Sequence, residues 1–235
     1  MEVSPDDNYP SHYRILIGTT IKYLTINPGI FGAETLRSPP DLFASLPPLP
    51  YGDWNTAQIL TRSSVRVCTR RLPAVLDMWH PTRFEFSSLK AISKLSARTL
   101  EVMHPGIGGS MIAKHARFDW EIPAIEHESR IYRIIDGQKI APEFVGHLCE
   151  NGRIIGFLLR KVRGTMPDRR DVDVCERTLE GLHALGIVHG AIRREEFVIG
   201  ADGCRVLDFE RAVIGAHQRD KEREMVHLRE VFREY

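Results

Sequence analysis

The sequence predicts an α+β fold, and three observations support that class. Residues 65 to 118 alternate as strands do, residues 122 to 135 carry an apolar helical stripe, and helical spacing returns after Asp171. Of the 235 residues, 43% are hydrophobic and 27% are charged, which is typical of globular chains. This composition argues against a wholly disordered chain or a low-complexity fibre.

Cationic and anionic residues are almost equal in number, so the chain has no strong overall positive or negative field. Lys and Arg number 32 against 31 Asp and Glu, so we expect neither nucleic acid nor an anionic membrane as a partner. Apolar runs such as Ile154 to Leu159 are too short to span a membrane, and Met1 to Pro10 does not resemble a secretory signal. The four cysteines are widely spaced, so we expect reduced, mostly buried thiols in a protein of the cytoplasm or nucleus.

Residues 1–60 hold most of the proline, and we expect them to form a Pro-rich arm. In Ser38 to Pro50 the proline rings argue against a helix and favour extended polyproline conformation. Leu46-Pro-Pro-Leu-Pro50 has two interpretations. It is a ligand for a Pro-recognising protein partner, or a rigid spacer packed on the chain's own surface.

The next segment is predicted to be mostly β with one inserted helix. Val65 to Thr69 alternates, and the turn Pro105 to Gly109 joins two strand-like runs, the second of which carries Lys114. A helix is expected from Ile122 to Ile135. A second hairpin follows around Glu150-Asn-Gly152.

From Asp171 the period becomes helical up to Leu185, and Gly186 suits the position after the helix end. Two short apolar strands between Phe197 and Leu207 are expected to form a hairpin. Met225, Leu228, Phe232 and Tyr235 then mark one face of a final helix.

The hairpin from Phe197 to Leu207 brings carboxylates together. In a tight antiparallel pair the start of one strand lies beside the end of the other, so the loop from His189 to Glu196 must lie next to Asp208. This places four acidic residues near Arg193 and Arg194: Glu195, Glu196, Asp208 and Glu210. Such a cluster suits Mg²⁺ and phosphate oxygens, or it is an ordinary solvated turn with arginine partners.

Two charged residues fall on surfaces that face the core. Lys114 lies among alternating apolar residues, and Glu128 lies on the apolar stripe of the next helix, whereas Glu126 falls on its polar side. Burying either charge alone is expensive, which favours a Lys114–Glu128 pair. The alternative is a snorkelling lysine and a glutamate at the rim, each unpaired.

The order of these features resembles the eukaryotic-type kinase fold, in the branch of aminoglycoside and choline phosphotransferases. The chain further resembles fungal kinase-like proteins through three segments: Gly52-Asp-Trp-Asn55, Trp79-His-Pro-Thr-Arg83 and Ala113-Lys-His-Ala-Arg-Phe-Asp-Trp-Glu121. The resemblance implies two lobes: a β-rich N-lobe over residues 61–162 with one αC-type helix, and a short, truncated helical C-lobe over residues 163–235.

The resemblance also implies roles for individual residues. Lys114 would hold the α and β phosphates of ATP and Glu128 would position it, while Asp208 would bind Mg²⁺. Arg160 to Val162 would form the hinge that meets adenine through its backbone. These are expectations carried over from the family.

The catalytic loop departs from the family pattern His-Gly-Asp-x-x-x-x-Asn, since it reads His189-Gly-Ala-Ile-Arg-Arg-Glu-Glu196. Ala191 stands where the proton-accepting aspartate is expected, and general-base catalysis is typically worth roughly 10²- to 10⁴-fold. Glu196 replaces the metal-binding asparagine and can still coordinate Mg²⁺. The branch commonly has an acidic residue where Glu210 stands.

Two further features of the sequence depart from the pattern of an active protein kinase. The segment Ile92 to Ala97, where a phosphate-covering loop is expected, contains no glycine. Only 27 residues follow Asp208, too few for a protein kinase's activation segment and large helical lobe.

We therefore expect a pseudokinase that binds ATP and Mg²⁺ with little or no phosphoryl transfer. One alternative is an active, atypical small-molecule phosphotransferase in which Glu195 or Glu196 serves as the base. The other is an adaptor that binds no nucleotide.

Overall fold

The structure, a computed structural model, describes residues 9–233 and has a mixed α+β architecture. Residues 1–8, which include most of the acidic N-terminal segment, and Tyr235 of the predicted last stripe lie outside the described residues. The chain divides into two compact units, Met1–Pro73 and Ala74–Tyr235. Among the described residues no helix is both long and apolar enough to cross a bilayer.

The first unit is a folded module with its own core. Its elements are β1 (Ser11–Ile17), β2 (Thr20–Ile26), α1 (Ala33–Arg37), α2 (Pro39–Ser45), β3 (Thr56–Thr61) and β4 (Ser64–Cys68). The four strands form one sheet in the order β1-β2-β3-β4, in which only the β2–β3 pair is parallel. A parallel pair needs a crossover connection, and the segment containing α1 and α2 provides it.

Two predictions for this region are wrong. Residues 38–50 do contain a helix, because Pro39 and Pro40 occupy the first turn of α2, where a missing N–H and a fixed φ are tolerated. The division of the chain lies after Pro73 instead of after residue 60, because β3 and β4 complete the first sheet. Leu46 and Leu49 pack against the apolar cluster of this unit, as the spacer interpretation of the proline segment requires.

The second unit contains a six-stranded sheet, three helices and two small sheets. Its elements are β5 (Arg83–Glu85), β6 (Lys90–Lys94), β7 (Thr99–His104), β8 (Ile107–His115), α3 (Ile122–Ile134), β9 (Phe144–Glu150), β10 (Arg153–Arg160), β11 (Gly164–Thr165), α4 (Val172–Ala184), β12 (Ile187–Val188), β13 (Phe197–Gly200), β14 (Gly203–Val206), β15 (Val213–Ile214) and α5 (Gln218–Arg233). The large sheet has the order β5-β9-β10-β8-β7-β6.

The predicted hairpins and helices of this unit are present. The turn between β9 and β10 has positive φ at both central residues, 50° at Asn151 and 79° at Gly152, as expected for Asn-Gly in a two-residue hairpin. Helix α3 begins at Ile122 as predicted and ends one residue before Ile135. Helix α4 ends before Gly186, whose φ is 78°.

One apolar core joins the β-rich and helical parts of the second unit. It includes Ile125 of α3 and Phe157 of β10 together with Leu179 of α4 and Leu228 of α5. The boundary expected between residues 162 and 163 is therefore not a division between separate cores. A smaller cluster, which includes Val102, Met111 and Leu158, lies within the six-stranded sheet.

Candidate functional site

A buried lysine lies between two carboxylates from distant parts of the chain. Lys114 is on β8, Glu128 is on α3, and Asp208 follows β14. The Nζ atom of Lys114 is 2.7 Å from Glu128 Oε2 and 2.9 Å from Asp208 Oδ1. The side chains of Lys114 and Glu128 are 14% and 2% exposed, whereas that of Asp208 is 44% exposed. The predicted Lys114–Glu128 pair is present, and the alternative of two unpaired charges is wrong.

The electrostatics of this group favour the charged forms of Lys114 and Asp208. Burial lowers the pKa of Lys114, but the charges of Glu128 and Asp208 outweigh that effect and raise the pKa above its ordinary value. Burial raises the pKa of Asp208, but Lys114 and the Glu210 N–H outweigh it and leave the pKa below its ordinary value. The exposed carboxylate of Asp208 is therefore available as an anion for a metal ion.

The backbone at Asp208 is held in an uncommon conformation. Its φ is 59°, in the left-handed region that Asp tolerates better than most residues. The next residue, Phe209, is fully buried and donates its N–H to Glu128 Oε1 at 3.1 Å. Rings of Tyr132 and His189 lie 5.4 Å from the Phe209 ring. These contacts fix the position from which the Asp208 side chain reaches Lys114.

The loop before β13 lies beside Asp208, as hairpin geometry predicts. The Leu207 N–H donates to the carbonyl of Glu196 at 2.8 Å, and His189 Nε2 lies 2.7 Å from the carbonyl of Leu207. Because that carbonyl only accepts, Nε2 carries the proton. The loop and the segment containing Asp208 are thus joined at two points.

A cavity of about 800 Å³ opens where this loop meets Asp208. Its lining includes Ala191, Glu196, Asp208 and Glu210. The Glu196 side chain is only 10% exposed and pairs with Arg193 at 2.6 Å. Glu195 is exposed and is not part of this lining. The cavity wall therefore combines a methyl group at residue 191 with several carboxylates and with the guanidinium groups of Arg193, Arg211 and Arg223.

The donor set fits Mg²⁺ only when a ligand completes it. No group of three His, Cys, Asp or Glu within residues 9–233 is arranged to hold a metal ion. Asp208 and Glu196 supply two carboxylates to one cavity. Mg²⁺ in phosphate-binding sites is commonly held by one or two carboxylates with substrate phosphates and water, so two suffice where a phosphate is present.

A glutamate on the last helix holds the loop before Ala191 through hydrogen bonds. Glu224 of α5 is buried and accepts hydrogen bonds from His183 Nε2 at 2.8 Å, the His189 N–H at 3.0 Å and the Gly190 N–H at 2.6 Å. Burial raises the pKa of Glu224, but these donors outweigh it and leave the pKa below its ordinary value. Glu224 thereby holds the backbone immediately before Ala191.

The expected hinge residues line a different cavity from the one beside Asp208. The N–H of Arg160, the last residue of β10, donates to the carbonyl of Glu143 at 2.8 Å. Arg160 and Val162 line a cavity of about 550 Å³ whose lining also includes Tyr132 and Gly200 and contains neither Lys114 nor Asp208. The expectation that the backbone of Arg160 to Val162 meets adenine stays a prediction.

Sequence reasoning missed two features of this region. Glu224 lies four residues before Leu228 and eight before Phe232, so it falls on an apolar stripe, the same signal that identified Glu128. The other feature is an ion pair between Arg98, in the turn between β6 and β7, and Glu210. No local pattern indicates this pair, because its members are 112 residues apart.

Comparison with known proteins adds no family assignment. No protein-family model matches the chain, and a search of curated proteins finds no significant match.

Proposed function

We propose that residues 74–235 form a kinase-like domain that binds ATP with Mg²⁺ and transfers phosphoryl groups poorly or not at all. The observation that carries this proposal is the Lys114 ammonium held between Glu128 and Asp208 next to a cavity lined by Ala191. A strand lysine, a helix glutamate and an aspartate after a hairpin are the set that protein kinases use to hold nucleotide phosphates and metal.

The arrangement of strands supports the same proposal. The hairpin β6–β7 precedes β8, which carries Lys114, and α3 follows β8 and carries Glu128. Strands β9 and β10 then complete a sheet in the order β6-β7-β8-β10-β9, and β5 adds an edge strand. This is the order of elements implied by the kinase-like resemblance.

Each residue has a definite part in the proposed binding. Lys114 contacts the α and β phosphates, and Glu128 keeps the ammonium at the floor of the site. Asp208 and Glu196 hold Mg²⁺, which when bound neutralises charge on the phosphate oxygens. Glu224 keeps the backbone of His189 and Gly190 in place beneath the ligand.

The missing base accounts for the proposed lack of turnover. The methyl group of Ala191 cannot accept a proton from an acceptor hydroxyl. Glu196 is a poor substitute because its carboxylate is held by Arg193 at 2.6 Å, and Glu195 is not on the cavity wall. The positioning groups remain, while the residue that would receive the proton is absent.

Nucleotide binding is tested by thermal unfolding of the full chain with and without Mg-ATP. A ligand at about 100 times its dissociation constant stabilises the folded state by about 2.7 kcal/mol, which corresponds to roughly 5–10 °C for a unit of this size. Lys114→Ala should abolish the shift relative to its own ligand-free midpoint. Lys90→Ala, which removes an exposed lysine from β6 in the same sheet, should retain it.

Turnover is tested separately with Ala191→Asp. Restoring the carboxylate should raise ATP-dependent phosphoryl transfer or ATP hydrolysis by roughly 10²- to 10⁴-fold. Fast turnover by the unaltered protein would instead support an active atypical phosphotransferase. Absence of any Mg-ATP shift, at any concentration, would leave the adaptor interpretation.

A further inference from the structure

The turn between β6 and β7 lies next to the lysine cluster and contains no glycine. Residues 90–104 include none, and the turn is closed tightly by hydrogen bonds from the Leu95 and Ser96 N–H groups to the Thr99 carbonyl at 2.9 and 3.1 Å. Close approach of backbone N–H groups to a phosphate usually requires glycine. In this turn the group suited to contact a phosphate is therefore a side chain.

Arg98 joins that turn to the site through an ion pair. Its carbonyl accepts the His115 N–H at 3.0 Å, and Thr99 is the register partner of Lys114, so the backbone of Arg98 is fixed one position from the lysine. Its guanidinium pairs with the Glu210 carboxylate. The Glu210 N–H in turn lies 3.4 Å from Asp208 Oδ1. Arg98 is thus connected to the proposed metal ligand through one residue.

The local charge balance leaves a role for a second cation. Lys114 is already matched by two carboxylates, Glu128 and Asp208. With Glu210 and Arg98 included, the group has three carboxylates against two cations, and the cavity wall also carries Arg193, Arg211 and Arg223. Release of Arg98 from Glu210 towards the ligand would move its positive charge next to the phosphate without changing the net charge of the group.

The Arg98–Glu210 pair is suited to exchange. The two side chains are 25% and 36% exposed, so solvent and salt weaken their attraction. A phosphate presents more negative charge than a carboxylate, and a guanidinium binds phosphate oxygens through two parallel hydrogen bonds. A terminal phosphate close to Asp208 can therefore compete with Glu210 for Arg98.

We propose that Arg98 binds the terminal phosphate of a nucleoside triphosphate and that Glu210 holds Arg98 in place until the ligand arrives. This inference rests on the proposed nucleotide binding. Ala191, Asp208 and Glu210 line the same cavity, and Arg98 is joined to it through its ion pair with Glu210. A triphosphate whose metal lies at Asp208 would therefore bring its terminal phosphate to the Arg98–Glu210 pair. The ligand class is therefore a triphosphate, selected over the corresponding diphosphate.

Calorimetric titration of the full chain with Mg-ATP and Mg-ADP tests the assignment. Loss of a charged hydrogen-bonding group should make Arg98→Ala bind Mg-ATP about 10- to 100-fold more weakly, while Mg-ADP affinity changes less than about threefold. Arg98→Lys should recover part of the loss. Glu210→Gln frees Arg98 and should bind Mg-ATP more tightly, by about 3- to 10-fold.

The double variant Arg98→Ala/Glu210→Gln supplies a thermodynamic cycle. Glu210→Gln should tighten Mg-ATP binding more when Arg98 is present than when residue 98 is alanine, because Glu210 acts both through Arg98 and through its own charge on the cavity wall. An equal effect of Glu210→Gln in the two backgrounds would refute the coupling of the pair. Lys94→Ala removes an exposed positive charge from the same hairpin and should change either affinity by less than about threefold.

The possible failures are distinct. Tighter Mg-ATP binding by Arg98→Ala would mean that the ion pair only obstructs the site, which overturns the assignment. Unchanged binding by Arg98→Ala, with binding abolished by Lys114→Ala, would overturn the role of Arg98 and leave nucleotide binding intact. If the unaltered chain binds neither nucleotide, the proposed function fails together with this inference.

Discussion

Replacing Glu224 with alanine should destabilise the second unit while leaving its apolar core unchanged. Glu224 is the buried acceptor for His183 Nε2 and for the N–H groups of His189 and Gly190, at 2.8, 3.0 and 2.6 Å. Alanine removes the acceptor and leaves these donors in place. Since the donors are on α4 and on the loop before Ala191, the substitution loosens both from α5.

The magnitude follows from how well water can reach each donor. His183 and His189 are 7% and 0% exposed, so their donors lose their partner without gaining water. Gly190 is exposed, and water can replace its partner. Leaving a buried donor unsatisfied costs about 1–3 kcal/mol, and two such donors remain here. We expect a loss of about 3–5 kcal/mol in the free energy of unfolding, near the middle of their summed cost.

Cys175 is fully buried in α4, so a thiol reagent reaches it only when the second unit opens. The labelling rate of Cys175 in the full chain at low urea, measured by mass spectrometry, therefore reports this opening. The expected loss corresponds to labelling roughly 10²- to 10⁴-fold faster in Glu224→Ala. Glu230→Ala is the matched control, since this α5 side chain is 60% exposed, and it should change labelling less than about threefold. Equal labelling rates for the two variants would refute the assigned role of Glu224.

Three further predictions concern packing, protonation and thiol exposure. In Gly156→Ala the new β-carbon would lie 2.1 Å from the Lys114 carbonyl oxygen, so the free energy of unfolding, measured by Cys175 labelling, should fall by at least about 1–3 kcal/mol. At Gly108 a new β-carbon faces open space, so Cys175 should be labelled in Gly108→Ala at almost the rate of the unaltered chain. Burial and, to a smaller extent, the charge of His80 lower the pKa of His147 from 6.5 to about 4. The free energy of unfolding should therefore fall by about 3 kcal/mol as the pH is lowered from 6.5 to 4, and it should not change for this reason above pH 6.5. His147→Gln should reduce this pH dependence, measured as the urea midpoint at each pH. In native protein a thiol reagent should label exposed Cys68 rapidly and the three buried cysteines only after unfolding.

Local sequence patterns were sufficient to predict those parts of the structure that depend on residues close together in the chain. The stripe from Ile122 placed α3, and its buried acidic member Glu128 could be matched with Lys114, which is only 14 residues away. The Asn151-Gly152 turn determined the β9–β10 hairpin because both residues adopt positive φ readily. The antiparallel register of β13 and β14 likewise follows from two short apolar runs and a tight turn, and that register brings the loop next to Asp208.

The first unit illustrates the opposite case. Proline content suggested an extended arm, but the parallel pairing of β2 with β3 and the packing of Leu36 and Leu42 create an independent core. Pairing over that distance leaves no periodic signal in the intervening segment. Pro39 is compatible with α2 because it stands at the start of the helix, a position that proline content alone does not specify.

Residue identity and local periodicity were enough to establish the α+β class of the second unit, the Lys114–Glu128 pair and the alanine at residue 191. Two contacts became visible only once the whole chain was folded: Glu224 supports the loop before Ala191, and Arg98 reaches Glu210. Both contacts join elements far apart in the chain. Their geometry is set by how helices and strands pack around a shared core, which no single segment of sequence encodes.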